Sequence, residues 1–180
     1  MMKKTLAALI GAALLNVAQA AEPSINSKVL GCNVPSREKQ KLESFYHKGK
    51  AFHMIAPENL GKYQEAYCAF SDYLHRNIAS YRLERAVELM EEIGADKIDP
   101  LAIIMYVRLG QSYQTKADMA GIMTGRFEPS SQKVEAYQKL RDESYQKAVR
   151  CYDHLHPNDN TFRQEVTFAK EQLGLSFQTH

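Results

Sequence analysis

Between Asp99 and Tyr113 the mature part of the chain carries its densest run of apolar positions: Leu101 through Val107 without a polar interruption, then Leu109. Asp99 is a favourable N-cap, and Pro100 suits the first helical position, where a missing N–H costs nothing. The apolar residues are not confined to one stripe, so the predicted helix must be covered on more than one side, which makes it the central helix. The segments on either side are amphipathic. Leu60, Tyr63, Tyr67, Phe70 and Leu74 repeat at three and four residues and predict a helix with one apolar face. A further helix from near Ser80 turns Leu83, Ala86, Val87, Met90 and Ile93 inward and stops at Gly94, a residue able to take the left-handed conformation. The link from there to the central helix is about five residues, short enough for an antiparallel hairpin.

The remaining elements follow from the same periodicity. Leu42, Phe45, Tyr46 and Phe52 predict a first helix over 36 to about 55, stopped by Pro57. Thr115 to Met123 can extend the central helix, and Gly125, Pro129 and Ser130-Ser131 place a loop at 124–131. A long fifth helix carries Val134, Tyr137, Leu140, Tyr145, Ala148, Tyr152 and Leu155 on or near one face. After a turn at Pro157 to Asn160, Thr161 with Gln164 has the capping-box form. It opens a sixth helix, with Phe162, Val166, Ala169 and Leu173 inward and Gly174 at its end. No segment alternates apolar and polar residues over six positions between turn signals, so no strand is expected. The fold class is all-α, with about six helices in antiparallel hairpins.

The amino terminus adds export. Lys3-Lys4, the apolar run Leu6 to Val17 and Ala18-Gln19-Ala20 together read as a secretory signal peptide over residues 1–20. Val29-Leu30-Gly31-Cys32 has the outline of a lipoprotein box, but polar Asn26, Ser27 and Lys28 separate it from the apolar run, so lipidation is not expected. Residues 21–35 read as an N-terminal arm and 36–175 as a single helical domain, periplasmic or secreted. Later segments fall short of the ~20 apolar residues a membrane span needs. The formal charge of +2 belongs to the two leader lysines, which leaves the mature chain neutral. Nucleic acid is thereby excluded as an expected partner, since phosphate affinity needs clustered excess positive charge.

Export makes the three cysteines candidates for one disulfide. If Ala66 and Phe70 face the neighbouring helix, Cys68 lies off that face and can meet the arm at Cys32. Cys151, beside inward Ala148 and Tyr152, can serve as a small core residue. The expected pair is Cys32 with Cys68; Cys68 with Cys151 is the alternative.

Tyr106-x-x-Leu109-Gly110-x-x-Tyr113 resembles the first-helix pattern of the tetratricopeptide repeat, and Tyr145-x-x-Ala148-x-x-x-Tyr152 and Ala66-x-x-x-Phe70 resemble its second. The resemblance covers about residues 60–157. It departs from the family in spacing: Ala66, Ala86 and Ala148 do not recur at the family's period, and an insertion separates Tyr113 from Ala148. A repeat-like array and an unrelated helical bundle both remain open. The resemblance implies that Gly110 lets two helices approach closely and that Ile104, Arg108, Gln111 and Thr115 line a binding groove for a peptide segment or its carboxylate, with Arg108 making a bidentate contact.

Candidate chemistry adds little. His154-x-His156 lies beside Asp153 and Asp159, but residues two apart do not share a helix face, so no metal site is expected. Met90, Met105, Met119 and Met123 read as core filler rather than haem or soft-metal ligands. There is no G-x-S-x-G, H-E-x-x-H or P-loop, and Glu91-Glu92 reads as a solvated face. The expectation is a non-enzymatic adaptor that needs no cofactor and binds another envelope or secreted protein or peptide. A carrier of a small ligand, haem or metal is the alternative, followed by an exported cell-wall hydrolase.

Overall fold

The computed structural model describes residues 54–76, 80–122 and 131–175. Within these residues five α-helices follow one another: α1 (Leu60–Arg76), α2 (Ser80–Glu92), α3 (Leu101–Ile122), α4 (Ser131–Leu155) and α5 (Asn160–Gln172). Short 3-10 turns at Pro57–Asn59 and Ala95–Lys97 precede α1 and α3. Among the described residues there is no strand, and no helix is long and apolar enough to cross a membrane. The fold is all-α. Of the six expected helices, the first lies outside the described residues except for Met54 and Ile55, as do the leader, the arm and most of the expected 124–131 loop.

The central position of α3 follows from its sequence. Every residue from Leu101 to Val107 is buried, and the helix touches α2, α4 and α5 on different sides, most extensively α4. Asp99 caps it as expected, its carboxylate accepting the Leu101 N–H at 2.9 Å. Gly94 closes α2 with φ +70°, the left-handed turn that the sequence reading assigned to it.

Two details differ from expectation. The cap of α5 is Asp159, whose carboxylate accepts the Thr161 N–H at 2.8 Å, so the helix begins before the expected Thr161 box. The apolar stripes are also less fully covered than periodicity predicts. Leu74 of α1 is 43% exposed and Leu140 38%; Leu140 lies in the first half of α4, which packs on the second half of α3. There Tyr113 stacks on Tyr137 at 6.5 Å, with the Lys116 ammonium over both rings.

At Gly110 α3 and α4 approach each other closely. Gly110 lies under the ring of Tyr145, which is buried and meets Phe168 of α5 edge-on at 5.9 Å. A β-carbon at position 110 would overlap that ring, 2.7 Å from Cδ1 and 2.9 Å from Cζ, and closer still to Cε1. Between α1 and α2 the exposed seam carries ion pairs of Lys62 with Glu92, Glu65 with Arg85 and Asp72 with Arg82. Such exposed pairs contribute about 0–1 kcal/mol each and set register more than stability.

Candidate functional site

The four groove positions on α3 do form one stripe, but much of it is already engaged within the chain. Ile104 is buried. Arg108 donates from one guanidinium nitrogen to Gln111 at 2.8 Å and from another to Glu165 of α5 at 2.5 Å. The Thr115 hydroxyl donates to the Gln111 carbonyl at 3.1 Å, a local bond that keeps it on its own helix. Burial raises the Glu165 carboxyl while Arg108 lowers it, so the pair is set into the α3–α5 seam rather than freely solvated. No local sequence signature marks Glu165, because its partner is 57 positions away.

A second constellation sits at the start of α3. The hydroxyls of Tyr63 and Tyr67, one turn apart on α1, donate to Asp99 Oδ2 at 2.5 and 2.7 Å, while Oδ1 caps α3. The two hydroxyls are 3.0 Å from each other. Asp99 is fully buried. Burial raises its carboxyl, opposed by the two tyrosines and the Leu101 amide. Every oxygen here is used internally, which makes this a structural device, anchoring the central helix to α1.

The third constellation is a cleft of about 410 Å³ between the end of α2, the Ala95–Lys97 turn, α3 and α4. Lys147, Arg150, Cys151 and His154 lie on one face of α4, at spacings of three, one and three residues, and the Gly94 turn swings Asp96 and Lys97 beneath them. Its floor is Tyr106 and Cys151, both buried. Glu91 Oε1 accepts from the Tyr106 hydroxyl at 2.9 Å and from Lys147 at 2.6 Å, and Lys147 also lies 5.7 Å from the Tyr106 ring centre. Glu91 is therefore the hub of a small network, where the sequence predicted only a solvated face. Burial raises the Tyr106 phenol, helped by the charge of Glu91.

Cys151 is a free thiol, as expected of the small core residue. Its Sγ–H is given to the Asp96 carbonyl at 3.1 Å, and burial, with the charges of Asp96 and Asp99, pushes the thiol up to about 12. At neutral pH it stays protonated, which is the opposite of what a nucleophile needs. Cys32 lies outside the described residues. Among the described residues no group of three or more His, Cys, Asp or Glu is placed to hold a metal ion.

Compared with protein-family models, with curated proteins and with solved structures, the chain matches none.

Proposed function

We propose that this chain is an exported adaptor of the cell envelope, periplasmic or secreted, whose helices are arranged as antiparallel hairpins in a tetratricopeptide-like array and which binds another protein or a peptide segment. The observation that carries the reading is Gly110 seated against Tyr145: it is the close helix approach that the resemblance requires of this glycine, between the two segments that carry the resemblance. The order of the α1–α2 ion pairs, with residues 62, 65 and 72 facing 92, 85 and 82, supports a hairpin there. With Cys151 free, a disulfide within the chain can only join Cys32 to Cys68, and that pairing belongs to the proposal.

In this reading the partner's carboxylate meets Arg108 at the exposed edge of the stripe, beside Gln111. Arg108→Ala is expected to weaken partner binding by about 1–3 kcal/mol, the scale of a hydrogen bond to a charged group. It also leaves Glu165 without its cation, so some stability is lost, and Arg108→Ala combined with Glu165→Gln returns most of it. The test is to immobilise the mature chain, identify the proteins retained from envelope extract, and titrate the retained protein against both variants. Equal affinity for wild type and the double variant would remove the stripe from the site. Failure to retain any protein would overturn the adaptor reading.

A further inference from the structure

The α2–α4 cleft presents both signs of charge, and they are unequally satisfied. Lys147 and Glu91 are bonded to each other. Lys97, Arg150 and His154 on the rim are exposed and make no ion pair with any described residue. Asp96 is likewise in no ion pair, and its Oδ1 is buried without a hydrogen-bond partner. Burial and the charge of Glu91 raise the Asp96 carboxyl, against the lowering effects of Lys97, its own backbone amide and Lys147; two carboxylates thus share one wall.

We propose that this cleft binds a small zwitterion, its ammonium held at Asp96, beside the Glu91–Lys147 pair, and its carboxylate at the rim by Arg150 and Lys97. Charge complementarity selects this class. A multiply charged anion would meet the two carboxylates, a simple cation would meet Lys97 and Arg150, and an apolar ligand would find only the Tyr106 and Cys151 floor. A volume of about 410 Å³ lies toward the lower end of the ~300–1,000 Å³ of ligand sites and suits an amino acid or dipeptide. The guanidinium of Arg150 supplies the planar fork that a carboxylate accepts in bidentate fashion. The site lies apart from the α3 stripe and stands or falls independently of the adaptor reading.

The probe is diglycine, with two blocked forms: acetyl-diglycine, which lacks the ammonium, and diglycine amide, which lacks the carboxylate. In ¹⁵N–¹H NMR titrations of the purified chain, diglycine is expected to shift the amides of Asp96, Lys97, Arg150 and His154 saturably at millimolar concentration. Both blocked forms are expected to bind at least tenfold more weakly. Arg150→Gln, at an exposed residue with no ion pair, should weaken diglycine at least fivefold and leave the melting temperature where it was. The proposal is overturned if diglycine leaves these amides unmoved, if either blocked form binds as tightly as diglycine, or if Arg150→Gln binds it unchanged.

Discussion

Gly110→Leu is expected to lower stability by about 3 kcal/mol or more in urea denaturation, a large fraction of the ~5–15 kcal/mol of a typical domain. The Cβ alone would overlap the Tyr145 ring, and the ring cannot retreat, because Tyr145 is buried and is backed by Phe168. Gly110→Ala separates the two effects at work. In an open helix this change gains about 1 kcal/mol of propensity; here overpacking of about 1–3 kcal/mol opposes it, and a net loss is expected. In a Tyr145→Leu background, which vacates the ring's volume, the same Gly110→Ala change should become neutral or stabilising. A higher melting temperature for Gly110→Ala in the wild-type background would show that α3 and α4 are not in this contact.

Asp99→Ala is expected to cost about 3 kcal/mol. It removes a helix cap, about 1 kcal/mol, and the acceptor of two buried tyrosine hydroxyls, bonds of about 1.5–3 kcal/mol each when the acceptor is charged. The total falls short of the sum because the desolvation of Asp99 itself disappears and because Tyr63 and Tyr67 still have each other. Asp99→Asn, which keeps a capping oxygen, should cost less.

The same carboxylate sets a pH dependence. Its pKa is raised on folding, so the native state holds the proton more tightly than the unfolded chain does. The stabilisation is complete below the unfolded value of about 3.9 and is lost as pH rises through the higher folded value. Asp96 and Glu165 are raised too and act with the same sign. Glu92, lowered by Lys62, has the opposite sign but is fully exposed and so contributes little. Stability measured by urea unfolding should therefore decline as pH is raised from about 4, and Asp99→Asn should flatten the decline. An unchanged slope in that variant would show that Asp99 is not the titrating group.

What could be read in the sequence was local. The buried run of α3, its Asp99 cap, the Gly94 turn and the Gly174 stop, with φ +68°, all depend on residues within a turn or two of each other. What could not be read was assembled across elements. Asp99 discloses itself as a cap, but nothing in its neighbourhood says that two tyrosines from α1 complete it. Arg108 reads as an exposed groove residue until α5 brings Glu165 against it. The zwitterion cleft draws on four segments, and Glu91 looks like ordinary surface when α2 is considered alone. The exposure of Leu140 was hidden for a related reason: periodicity says which face of a helix is apolar, not whether a neighbour is long enough to cover it.

Uneven cover along its length governs how α3 moves. Through Gly110 the helix is enclosed, whereas beyond it Ala117 is the only buried residue among those described in α3, and Met119 and Ile122 are 62% and 78% exposed. Local opening free energy scales with the packing that must be broken, so one continuous hydrogen-bonded helix has two opening regimes. The outer turns, with the first half of α4, can fray and re-form as a unit while the inner turns open only with global unfolding. Backbone amide exchange along α3 then changes character near the middle of the helix rather than only at its end.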